Sequence, residues 1–185
     1  MRNKTIKFAI IAVIAGIGVT ASWAIVDTGI HMTADDAFCT NCHSHAPIGT
    51  SYRESLHGGN NKTGWRATCS QCHIPKTNSL HYLWVKGIHG VRDPLVELIK
   101  DPYDIDWHGH RELRERYVYD SACMDCHRNL EASIESGPSF LAHRDYFAGA
   151  NDKKCVSCHQ HVGHKNLGLH LEAQGWKKPQ GGKDT

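Results

Sequence analysis

Four copies of Cys-x-x-Cys-His punctuate this 185-residue chain: CTNCH at 39–43, CSQCH at 69–73, CMDCH at 123–127 and CVSCH at 155–159. Together they use all eight cysteines. A disulfide framework makes no demand on the residue after the second cysteine. Zinc sites pair one CxxC with another or with two spaced histidines, and they leave that neighbour free as well. Covalent attachment of c-type haem needs all three residues, because two thiols add across the vinyl groups and the next imidazole swings under the iron. The sequence therefore predicts four covalently bound haem c groups, held by Cys39 and Cys42, Cys69 and Cys72, Cys123 and Cys126, and Cys155 and Cys158. His43, His73, His127 and His159 are the proximal ligands expected from the covalent geometry.

A sixth ligand from a second histidine lowers the potential and favours electron transfer over chemistry at the iron. Fifteen histidines are present, so eleven remain for that role. His57 precedes Cys69 by 11 intervening residues and His143 precedes Cys155 by the same 11, which makes both of them candidate distal ligands. His164, in HQHVGHKN, is near enough to its motif to reach a neighbouring haem. His161 lies only two residues after His159, too close to cap a different iron. For His81, His89, His108, His110 and His170 a surface or supporting role is expected over ligation.

The equal spacing makes each half read CxxCH…H-x11-CxxCH. Two dihaem modules follow, at about 36–90 and 118–170, within a tetrahaem domain over 31–170. The intervening stretch, GIHGVRDPLVELIKDPYDIDWHGHRELRERYVYD, is expected to form short helical pieces broken at Asp93-Pro94 and Asp101-Pro102. A polar tail is assigned to 171–185. No strand-like alternation stands out. The fold expected is a mainly α, loop-rich multihaem cytochrome c in which macrocycles supply much of the apolar interior.

Arg2, Lys4 and Lys7 precede an apolar run, Phe8 to Val26, whose 19 residues approach the ~20 needed to span hydrocarbon as a helix. A retained single-pass anchor over 1–30 is expected, with Trp23 at the interface; cleavage near Ser22-Trp23-Ala24 is the alternative. The basic start places the N-terminus in the cytoplasm and the haem domain in the periplasm, on the bacterial inner membrane. The net charge of +2, with no basic run, gives no sign of a nucleic-acid partner.

The anchor, the four motifs in order and phrases such as SLHGG, GWRATCSQCHIPK, YDSACMDCH and CHQHVGHK resemble the NapC/NirT family of membrane-anchored tetrahaem cytochromes. That resemblance implies a quinol dehydrogenase that oxidises membrane quinol, menaquinol or ubiquinol, and passes electrons to a periplasmic terminal reductase or carrier protein in anaerobic respiration. It also implies His57, His143 and His164 as distal ligands, and a quinol site beside the first haem at Lys86 and Asp93. Many members carry a methionine shortly after the first motif as an axial ligand. Here CHSHAPIG has His45 in that place, so His43, His45 or an oxygen ligand stay open for the first haem. An electron relay without a quinone site, or delivery of electrons to the quinone pool, is the alternative function, and a homo-oligomer is left open.

Overall fold

The computed structural model describes residues 2–134 and 139–177. Eleven α-helices occur among the described residues: α1 (Arg2–Met32), α2 (Asp36–Cys39), α3 (Ala46–Glu54), α4 (Ser70–His73), α5 (Ser79–Ile99), α6 (Trp107–Glu112), α7 (Asp120–Cys126), α8 (Leu130–Ile134), α9 (Phe140–Phe147), α10 (Cys155–Cys158) and α11 (Leu167–Ala173). The β-structure described is one isolated bridge between Gly58 and Arg66. The chain is mostly helical and rich in loops, as the sequence predicts.

Helix α1 is long and apolar enough to cross a membrane, with mean hydropathy 2.3 over its best window and none of that window buried. Its hydroxyls do not oppose this, since Thr20 Oγ1 donates back to Gly16 O at 3.0 Å. The helix runs past the expected Phe8–Val26 stretch at both ends, because nothing in the flanks stops it until Thr33.

The polypeptide's own core is small. Tyr52, Ala67, Ile74, Ala122, Val156, Leu171 and Trp176 are the buried apolar residues among those described. For a chain of this length that is far too little to offset the entropy of folding alone. Most of the order comes from polar clasps. Helix α3 and the C-terminal segment hold each other through Ser51 Oγ, which donates to Lys165 O at 2.8 Å, and through Lys165 N, which donates to Ser51 O at 3.2 Å. Nearby, His170 Nε2 meets Glu54 Oε2 at 3.0 Å. In the second half, the Asp120 carboxylate accepts from Tyr146 Oη at 2.8 Å and from Cys155 N at 3.0 Å, tying α7, α9 and α10 together.

Two sequence expectations are corrected. The predicted break at Asp93-Pro94 does not occur: α5 is one helix of 21 residues with Pro94 inside it. Proline removes one hydrogen bond and crowds the carbonyl four residues back, but the helix is fastened on both sides of Pro94 by Lys86 and Glu97. The break at Asp101-Pro102 is present, where Asp101 caps a short 3₁₀ turn by accepting from Tyr103 N at 2.9 Å. The tail boundary also moves. Helix α11 crosses residue 170, and Leu171 and Trp176 are buried, so the packed unit continues to at least Trp176. Of the tail, residues 178–185 lie outside the described residues.

The corrected boundary has a direct consequence. Leu171→Ala should cost about 2–5 kcal/mol, the usual loss for a fully buried leucine. Leu169→Ala, on the exposed side of the same helix, should cost under about 0.5 kcal/mol. Thermal unfolding of the two variants, compared with the parent at equal haem content, checks the difference.

Candidate haem and quinol sites

Three pairs of imidazole rings face each other across sequence distance. His57 lies 6.1 Å from His127 between ring centroids, His73 lies 6.1 Å from His164, and His143 lies 6.0 Å from His159. Each pair joins one motif histidine to one of the three candidate distal histidines. Imidazole–metal bonds run about 2.0–2.1 Å and a ring centroid sits roughly 1.1 Å beyond the nitrogen, so two imidazoles across one iron have centroids about 6.2 Å apart. The spacing in the chain matches that figure in all three pairs.

The tautomers agree. Nδ1 of His57 donates to Val162 O at 3.2 Å, Nδ1 of His73 to Tyr117 O at 2.8 Å, and Nδ1 of His143 to Ser139 O at 2.8 Å. A ring whose Nδ1 carries the proton leaves Nε2 as the free donor for a metal. Burial lowers the pKa of His73, and lowers that of His164 to about 4, so both rings are neutral and available as ligands at neutral pH.

Sequence neighbours do not make these pairs; tertiary clasps do. The α3–α11 contact carries residues 162–164 back over the first half, setting Val162 O at His57 and the His164 ring at His73. Gly58 is required beside His57, because a Cβ there would collide with the Tyr52 carbonyl. The thiols also meet. Cys39 lies near Cys69 and Cys123 near Cys155, so the same motif-to-motif approach recurs in both halves.

The first motif is built differently. His43 is exposed and lies edge-on to Tyr103 at 6.1 Å and beside Trp176 at 6.5 Å. His45 instead points inwards. It shares a site with the Cys42 thiol and the Glu97 carboxylate, whose ligand atoms all lie within 4.8 Å of one another. Ser44 Oγ donates to Glu97 Oε2 at 2.5 Å and lies 3.1 Å from His45 Nδ1, while Ser44 N donates to Glu97 Oε1 at 3.1 Å. Burial lowers the His45 pKa, with the charges of Asp93 and Glu97 opposing it. Trp107 stands edge-on to His45 at 5.2 Å and buries its indole N–H with no acceptor among the described residues, as a donor kept for an anionic haem substituent would. The residues present fit four haem groups.

Helix α5 brings a second set of groups to this corner. Lys86, His89, Asp93 and Glu97 repeat at three or four residues and so share one face. Lys86 Nζ donates to Thr33 O at 3.0 Å, one residue beyond α1, and burial lowers its pKa. His89 Nδ1 meets Asp93 Oδ2 at 2.9 Å, with both side chains part-exposed. The charges of Lys86 and Asp93 are felt at Cys39, and those of Glu97 and Asp93 at Cys42. Lys86 and Asp93 are thus beside the first motif. From the sequence His89 is expected only in a surface or supporting role, and Glu97 is passed over; their helical register with Lys86 and Asp93 was the signal. His81, His108 and His170 have partners within the protein, in Thr77, the Trp176 carbonyl and Glu54.

Comparison with known proteins gives a consistent picture. A profile described as the NapC/NirT cytochrome c family, N-terminal region, matches residues 1–168. The chain is 31% identical over 176 residues to the cytochrome c-type protein TorY of Escherichia coli O157:H7, covering 89% of this chain and 46% of that protein. The chain thus spans about half the length of that relative. It is 30% identical over 175 residues to the tetraheme c-type cytochrome CymA of Shewanella oneidensis, covering 85% of this chain and 91% of CymA. Among solved structures it resembles a chain of the cytochrome c nitrite reductase NrfHA complex bound to the HQNO inhibitor, with TM-score 0.55 and 30% identity over 82% of this chain and 87% of that one.

Replacing one distal histidine should change one iron and leave attachment intact, because the thioethers are untouched. His164→Ala should convert the haem of the second motif to high spin, His57→Ala that of the third and His143→Ala that of the fourth. Each variant should retain four haems per chain by pyridine haemochrome, with about a quarter of the haem changed in the visible and electron paramagnetic resonance spectra. A variant with an unchanged spectrum would remove its histidine from the ligand set.

Proposed function

The chain belongs to the NapC/NirT cytochrome c family, and from that premise we propose that it is a membrane-anchored tetrahaem cytochrome c that oxidises quinol and passes the electrons to a periplasmic reductase or electron-carrier protein. The observation that carries this reading is the Lys86–Thr33 contact. It holds a lysine, a histidine–aspartate pair and the first haem-attachment motif together at the foot of an apolar helix long enough to span a bilayer.

The ligand reading follows the ring pairs: His73 with His164 for the second motif, His127 with His57 for the third and His159 with His143 for the fourth. At the first motif the inward ring of His45, braced through Ser44 and Glu97, is favoured over His43 as the imidazole ligand. Haem, when bound, supplies one-electron acceptors in series, while the protein sets their ligands and access.

Quinol oxidation releases two protons as well as two electrons. Asp93 accepts a proton from the quinol hydroxyl, and His89, in contact with its carboxylate, is placed to relay it outward. Lys86 is a charge-assisted donor to the ring oxygen, held in place by Thr33 until substrate arrives. Its partial burial lowers the cost of giving up its water.

Asp93→Asn keeps the shape and removes the base, so menaquinol oxidation in proteoliposomes should slow by about 100-fold or more with haem content unchanged. Lys86→Leu should instead raise KM by about tenfold, the loss of one charge-assisted hydrogen bond. Parental rates and KM in both variants would place quinol oxidation elsewhere.

A further inference from the structure

Helix α5 has two faces, and the sites above use one of them. Opposite Lys86, His89, Asp93 and Glu97, an apolar stripe runs through Leu80, Trp84, Ile88, Val91, Leu95 and Leu98 at helical spacing. These side chains are open to solvent: Leu80 is 81% exposed, Trp84 70%, Val91 64% and Leu98 82%. The groove along this side of the helix is almost wholly apolar. A continuous strip of this length on a soluble surface marks an interaction site.

We propose that α5 lies along the membrane surface on the haem-domain side, with this stripe sunk to the acyl boundary, as a second and non-spanning contact with lipid. The proposal rests on the reading that α1 is a retained anchor. Position is the first argument. Lys86, in the middle of α5, is bonded to Thr33 O, and Thr33 is seven residues past Val26, the end of the apolar run. Seven residues of helix rise about 10 Å, little more than the depth of the headgroup layer. The middle of α5 therefore cannot stand far from the bilayer.

Orientation is the second argument. Glu97 on the Lys86–Glu97 face accepts from Ser44 N and Ser44 Oγ and lies with Cys42 and His45, so the apolar stripe points away from the first motif. Composition is the third. Trp84 suits an interface, and Arg92 and Lys100 lie exposed beside the stripe, where their charges can reach lipid phosphates.

The test uses the full chain, haem-loaded, in phosphatidylethanolamine–phosphatidylglycerol liposomes with a phospholipid carrying a diazirine on its acyl chain. After photolysis, adducts are mapped by peptide mass spectrometry. Leu141 and Leu169 serve as references, being 69% and 66% exposed on α9 and α11. The expected result is labelling of α1 and of residues 80–99, with at least about tenfold less on the two references. The exposed double substitution V91N/L98N should reduce labelling of 80–99 several-fold and leave α1 labelling unchanged. Labelled α1 with α5 at the reference level would overturn the proposal while leaving the anchor intact. Unlabelled α1 would overturn both. An unlabelled α5 whose peptides cross-link between two chains would assign the stripe to a second copy and overturn it as well.

Discussion

Two imidazole rings held about 6 Å apart, one from a haem-attachment motif and one from elsewhere in the chain, is the constraint that the rest of this structure serves. A haem iron binds strongly only when both axial nitrogens are presented at bonding distance with their rings already oriented. The carbonyls of Val162, Tyr117 and Ser139 do that orienting for three of the rings. Losing such supporting hydrogen bonds typically costs 10- to 100-fold in metal affinity. The small apolar core, the short helices and the long loops make sense on those terms, because the chain is organised around ligand positions and only weakly around its own side chains.

The ring pairs also explain why the two halves cannot be separate bodies. His73 faces His164 and His127 faces His57, so two of the three pairs cross between the first and second halves. The α3–α11 clasp supplies polar contacts that make those crossings reproducible. Each hydrogen bond contributes only about 1 kcal/mol, so the clasp works by number and by enclosing Leu171 and Trp176.

Much of the site was legible because covalent chemistry leaves a fixed signature: four CxxCH motifs named eight cysteines and four histidines. The equal 11-residue spacing picked out His57 and His143, both of which face a motif histidine. Which ring faces which was not legible, because it depends on long-range clasps such as Ser51 with Lys165 that carry no local pattern. Pro94 misled for a different reason. Read as a break, it hid the helical register of Lys86, His89, Asp93 and Glu97, and with it the Glu97–Ser44–His45 brace. A proline in a helix fastened on both sides of it, by Lys86 and by Glu97, is a case where tertiary contacts outweigh local propensity. The tail was misjudged because LEAQGW looks polar on average while its two large apolar residues, Leu171 and Trp176, are the ones that bury.

The first motif stands apart from the other three: an exposed His43, an inward His45 braced on a carboxylate, and a corner shared with α5. Three haem sites therefore have two facing histidines, and the first does not share that arrangement. Near-infrared magnetic circular dichroism of the oxidised full-length protein reports axial ligands haem by haem and tests this most directly. Bis-histidine bands equal to three haems per chain and a distinct signal from the fourth are expected. Bis-histidine intensity for fewer than three haems would contradict it, as would four indistinguishable ones.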